Sequence, residues 1–144
     1  MMRTALTLAS ITVIVCAAWS AETPQVTVTG GKFNSVLPPA PEIDAVTVKT
    51  FRLDITPVTN AQFAEFVGKH PEWRRDHVAR LFADQEYLAH WPQAEHADEA
   101  SPDQPVTHVS WFAAGAYCEA QGKRLPMWYE WEYVAAASET EKER

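Results

Sequence analysis

Gln104-Pro105-Val106-Thr107-His108-Val109-Ser110-Trp111, running on through Gly122-Lys123-Arg124-Leu125-Pro126 to Glu130-Trp131-Glu132-Tyr133, decides how this chain of 144 residues is read. Val106 and Val109 predict a short strand after Pro105. Ser110 is placed to cap a helix by accepting a backbone N–H bond. Ala113, Ala116, Tyr117 and Ala120 then recur at helical spacing, so one face of that helix points at a core. Trp111, just past the cap, is expected to lay its ring on a sheet and fix the entry angle. Gly122 supplies the left-handed residue that ends a helix, and Pro126 prevents its continuation. A third helix is predicted from Trp128 to Ala137, followed by a frayed charged tail at 139–144. Arg124 is expected buried or half-buried. Glu130 and Glu132 are the nearest carboxylates for a bidentate pair, which at such a place is structural rather than catalytic.

Upstream of that stretch, residues 92–104 hold Pro92, Pro102 and acidic side chains and predict a loop. Trp73, Val78, Leu81 and Phe82 fit one face of a helix within 72–91, leaving Arg74, Arg75, Arg80 and Asp84 solvated. Thr59-Asn60-Ala61-Gln62 has the form of a capping box. Phe63, Phe66 and Val67 follow as one face of a short helix that Gly68 ends, with Pro71 beyond. Nearer the N-terminus the period changes to two. Val26 and Val28 alternate with Thr27 and Thr29 before Gly30-Gly31. After an extended loop at Pro38, Pro39 and Pro41, the residues Val46, Val48, Phe51 and Leu53 restart the alternation. Strands followed by helices in this order predict an α+β domain over residues 21–138.

Residues 1–20 read as a signal peptide: Arg3 gives a positive start, Ala5 to Val15 an apolar centre, and Ala18-Trp19-Ser20 a small-residue cleavage site before Ala21. The alternative is an uncleaved N-terminal anchor, although the segment is short for a membrane span. Lipidation at Cys16 is disfavoured, because Val15 is larger than the residues expected before a lipidated Cys. Cleavage leaves no stable membrane span and Cys118 as the sole thiol, which excludes an internal disulfide. The expected location is periplasmic or secreted. A net charge of −7, with Arg74, Arg75 and Arg80 interleaved with Asp76 and Asp84, argues against nucleic acid as a partner. The roughly 124 residues after cleavage are enough for one core. Six Trp, six Phe and four Tyr supply the material to fill it.

Read in order, these pieces resemble the formylglycine-generating enzyme (sulfatase-modifying factor) domain family, over about residues 29 to 137. Gly30-Gly31-Lys32-Phe33 is similar to the family's opening. Val48 to Asp54, with Pro57-Val58-Thr59-Asn60-Ala61-Gln62-Phe63, is similar to its strand-to-first-helix passage. Pro105 to Trp111, Ala116-Tyr117-Cys118, Arg124-Leu125-Pro126 and Glu130-Trp131-Glu132-Tyr133 resemble its central signature. The sequence departs from the pattern at Met127-Trp128-Tyr129, where a Thr-Glu-Ala is usual, so a hydroxyl cap is missing and that helix start is weaker by about 1 kcal/mol. Asn34-Ser35 likewise replaces a common Met-Gly. Trp73-Arg74-Arg75 and Tyr87-Leu88-Ala89-His90-Trp91 look like exported relatives associated with bacterial respiratory nitrogen metabolism. The resemblance implies a variant of the C-type lectin fold, incomplete here because the signature sits near the middle of the family's domain.

The resemblance also implies chemistry. Catalytic members oxidise a cysteine of a sulfatase to formylglycine with oxygen, a copper ion and a pair of cysteines, and they bind calcium. It places those residues in a C-terminal half, so no residue here is assigned a catalytic, cofactor-binding or metal-ligating role. Cys118 is read as an inert core thiol; the alternative is activation by His108 approaching in space. His90 and His96 lack the spacing of a metal site, and Asp98, Glu99 and Asp103 match no calcium loop. Trp73, Tyr87 and Trp91 fill the core or, alternatively, form an exposed aromatic ledge for a peptide or protein. Two functions stay open: part of an oxidase-like factor acting on a secreted or periplasmic protein, or a non-catalytic accessory module. Either predicts uncovered apolar surface around Trp111, Tyr117, Trp131 and Tyr133.

Overall fold

The computed structural model describes residues 23–43, 45–94 and 101–142, with side chains up to position 136. The signal peptide or anchor, Cys16, His96, Asp98 and Glu99 lie outside the described residues. Four short strands come first: β1 (Gln25–Val28), β2 (Gly31–Phe33), β3 (Val46–Val48) and β4 (Phe51–Asp54). They form one antiparallel ribbon interrupted in the middle. Gln25 stands opposite Asp54 and Val28 opposite Phe51, and the same register continues with Gly31 opposite Val48 and Phe33 opposite Val46. At the interruption the two backbones nearly touch. A Cβ on Gly30 would lie 2.2 Å from the Val48 carbonyl oxygen, so only glycine fits there.

Helix α1 (Asn60–Lys69) starts as the capping box predicts. The Gln62 N–H donates to Thr59 Oγ1 at 3.3 Å, and the Thr59 N–H donates to Gln62 Oε1 at 2.9 Å. The helix runs past Gly68 to Lys69, and Pro71 opens a single 3-10 turn (Pro71–Trp73). Phe63, Phe66 and Val67 are buried. They pack with Ala113 and Tyr117 of α2 (Trp111–Ala120) and with Tyr87, Leu88 and Trp91. Phe63 is the hub: its ring centre lies 5.3 Å from that of Phe66, 5.8 Å from Tyr117 and 6.2 Å from Trp91. Such aromatic pairs contribute about 0.5–1.5 kcal/mol each beyond area burial.

Two predicted elements are absent. Residues 74–91 form successive turns rather than a helix. Leu81, placed on the apolar face, is 81% exposed, while Ala83, Tyr87, Leu88 and Trp91 are the buried set. Leu88 sits at φ 50, which no right-handed helix accommodates. Arg75, expected in solvent, instead donates through Nη1 to the carbonyl oxygens of Leu88, Ala89 and Trp91. The strand expected at Val106–Val109 is likewise reduced to a single bridge between Thr59 and Pro105. His108, at φ 55, breaks the extended run.

Helix α3 (Trp128–Lys142) leans on the ribbon and continues through most of the expected tail. Gly31 makes room for it: a Cβ there would meet Tyr133 Oη at 2.7 Å. Tyr133 packs edge-on to Phe33 at 5.5 Å. A two-stranded ribbon is marginal alone, and this helix gives it a second layer. The arrangement is α+β, and among the described residues no helix is long and apolar enough to cross a membrane. Gly30→Ala is expected to destabilise the fold by about 1–3 kcal/mol through overpacking. Gly68→Ala, where a Cβ meets nothing within 4 Å, is expected to stabilise it by about 0.5–1 kcal/mol. Denaturant unfolding of the two variants checks both signs.

Candidate functional site

The signature residues meet where α2, the ribbon and α3 converge. Ser110 caps α2, accepting the Ala113 N–H at 3.1 Å. At the other end Gly122 takes φ +68. Its N–H donates to Glu119 O at 2.9 Å, and the Lys123 N–H donates to Cys118 O at 2.8 Å. This paired closure is the Schellman arrangement, which satisfies carbonyls that a helix end leaves free. The chain then turns so that Lys123 and Arg124 reach different elements.

Lys123 Nζ lies 2.9 and 3.1 Å from the two carboxylate oxygens of Asp54 at the end of β4. Gln25 on β1 donates to the same carboxylate at 2.7 Å. Arg124 pairs in bidentate fashion with Glu130, at 2.6 and 2.7 Å. The Arg124 side chain is 55% exposed, more than expected, whereas that of Glu130 is 11% exposed. Glu130 also accepts the Met127 N–H at 2.8 Å. A carboxylate inside the first turn thus satisfies the backbone donor just before α3 and carries part of the function of the missing hydroxyl. Glu132 is not a partner of Arg124. It points to the ribbon side and accepts from Ser35 Oγ at 2.7 Å and from the Val36 N–H. Hydrogen bonds from Arg124 hold the Glu130 carboxyl below its ordinary 4.5, against the opposing effect of burial.

Between β4, the Gly122–Pro126 turn and the start of α3 lies a cleft of about 850 Å³, lined by Phe51, Asp54, Cys118, Lys123, Glu130 and Trp131 among others. Its wall is more apolar than charged, and Trp131 at its edge is 60% exposed. Trp111 is 73% exposed and does not lie on the sheet; Tyr117, by contrast, is buried, and Tyr133 is half-buried against Phe33. Cys118 is half-buried. Burial first, then the Asp54 charge, pushes its thiol above the ordinary 9.0, with Lys123 opposing. It is therefore a protonated, weak nucleophile at neutral pH.

The aromatic ledge is overturned. Tyr87 and Trp91 are each 2% exposed, and the Tyr87 hydroxyl donates to the Trp73 carbonyl at 2.8 Å. Asp103 is exposed, and among the described residues no three His, Cys, Asp or Glu side chains converge. These residues do not fit the metal centres that the family resemblance implies. A copper–thiolate centre needs paired thiolates, and Cys118 is the one cysteine described. Calcium needs six or more oxygen ligands. One juxtaposition was invisible in the sequence: the rings of His90 and His108 stand 4.9 Å apart. Seventeen intervening residues gave no periodic signal for it.

Among the described residues, a ribbon and two helices, α2 and α3, are joined at this signature. The chain belongs to the family of the sulfatase-modifying factor enzyme 1-like domain, whose profile matches residues 15–144. It is 40% identical to the inactive C-alpha-formylglycine-generating enzyme 2 of Mus musculus, over 62% of this chain and 38% of that one. It is 35% identical to the formylglycine-generating enzyme of Streptomyces coelicolor, over 65% and 38% of the two chains. Identity to the hercynine oxygenase of Mycolicibacterium smegmatis is 34%, over 63% and 24%. The chain thus spans about two fifths or less of the length of these curated relatives.

The site has a pH signature. Because the folded-state pKa of Glu130 is depressed, its contribution to stability is fully present above the unfolded carboxylate value and is lost as pH falls through the folded one. Thermal unfolding from pH 7 down to pH 2 is expected to show that loss. In Glu130→Gln the dependence is expected to flatten, with lower stability at pH 7.

Proposed function

We propose that this chain supplies the scaffold part of an exported formylglycine-generating-enzyme-like domain, in a variant of the C-type lectin fold. Where such a domain oxidises a cysteine of a secreted or periplasmic protein, the reacting groups are then residues other than those described here. One observation carries this reading: relatives named as a formylglycine-generating enzyme, an inactive one and a hercynine oxygenase each match 62–65% of this chain at 34–40% identity. A segment shared by three such different outcomes holds the fold rather than choosing the chemistry. The geometry supports it, since Lys123, Arg124, Glu130 and Glu132 are all engaged in ties between elements. On this reading the chain itself holds no catalytic copper or calcium.

The alternative is a non-catalytic accessory module, linked to maturation of periplasmic respiratory enzymes of nitrogen metabolism. Favouring it are the exposed Trp111, Trp128 and Trp131, side chains suited to contact with another protein. Both readings share one expectation. The purified chain, given oxygen, copper and a cysteine peptide of sulfatase type, yields no formylglycine by mass spectrometry. An aldehyde product above the protein-free blank would refute the scaffold assignment.

A further inference from the structure

His90 and His108 come together through backbone that is held on several sides. Leu88 and His108 both occupy the left-handed region, and the Leu88 N–H donates to the His108 carbonyl at 2.8 Å. Left-handed non-glycine residues are uncommon and gather where the surrounding structure over-determines them, often around ligands. The flanks of His90 are equally fixed. Leu88 and Trp91 are buried at 0% and 2% exposure, and Arg75 clamps the carbonyls of Leu88, Ala89 and Trp91. Both imidazoles nevertheless face solvent.

From this geometry we infer a two-histidine site, His90 with His108, for a borderline divalent cation of the zinc type. The ring spacing suits a shared ion. With zinc–nitrogen bonds of about 2.0–2.1 Å in a tetrahedral set, two imidazoles on one ion stand with their centres about 5 Å apart. The observed separation is 4.9 Å. Thr107 Oγ1 lies 3.2 Å from His108 Nδ1. A contact of this kind on one ring nitrogen orients the ring and leaves the other nitrogen as ligand. Burial, His108 and Arg75 all lower the pKa of His90, which favours a neutral ring with a free lone pair at pH 7. The Arg75 guanidinium also opposes an added cation, although three carbonyl oxygens engage it. Two protein ligands with water completing the set make a weak, exchangeable site. It is distinct from the cleft at Gly122–Pro126 and independent of the scaffold reading.

The test uses the full chain with Zn2+ alone, read by calorimetry and by histidine-selective nitrogen NMR. One equivalent is expected to bind with shifts confined to the side chains of His90 and His108, and binding is expected to weaken as pH falls below the imidazole range. His108→Asn keeps a residue that tolerates the left-handed backbone, and His90→Gln changes only an exposed side chain. Each is expected to weaken Zn2+ binding by about tenfold or more, with unchanged thermal unfolding in the absence of metal. His77→Gln, which removes the imidazole beside Asp76, is expected to leave binding intact. Zinc shifts centred on His77, or binding that survives both His90→Gln and His108→Asn, would overturn the site.

Discussion

One backbone torsion governs how the two sides of this molecule meet. Gly122 at φ +68 ends α2 and reverses the chain, a conformation that costs an L-residue about 1–2 kcal/mol. Because of that reversal, two adjacent cations serve two different elements. Lys123 ties the helical core to Asp54 on the ribbon, and Arg124 grips Glu130 on α3. The ribbon and α3 bury little between them: Val48 is 5% exposed, but Val26 is 47% and Trp128 52% exposed. Their order depends on the tie that the turn makes possible.

This arrangement accounts for the density of charged and aromatic residues in the signature without invoking catalysis. A carboxylate already held by a bidentate guanidinium and a backbone N–H has little capacity left to move a proton. A thiol whose pKa is raised by burial and a neighbouring carboxylate is a poor nucleophile. The cleft beside the turn is mainly apolar, with the exposed Trp131 at its edge.

Much of the architecture was legible in local chemistry. The Thr59–Gln62 box, the i, i+3, i+4 spacing of Phe63, Phe66 and Val67, the Ser110 cap and the Gly122 terminator each act within a few residues, and each stands where it was expected. The failures share a cause. Residues 72–91 carry a helical spacing of apolar side chains, but long-range bonds from Arg75 and a left-handed Leu88 override it. The short strand expected at Val106–Val109 yields to a left-handed His108 bonded to Leu88. Arg124 and Glu130, six residues apart, were recognisable as a pair. The exposure of Arg124, the turning of Glu132 toward Ser35 and the meeting of His90 with His108 depend on tertiary placement that no local pattern encodes.

The central claim is that the signature acts as a joint. Hydrogen exchange on Gly122→Val tests it most directly, because a β-branched side chain opposes the left-handed torsion while a Cβ there meets no neighbouring atom within 4 Å. The account predicts that residues 25–54 and 128–136 lose amide protection together while Phe63–Val67 in α1 keeps its own. Unchanged protection of the ribbon and α3, or a uniform loss across α1 as well, would contradict it.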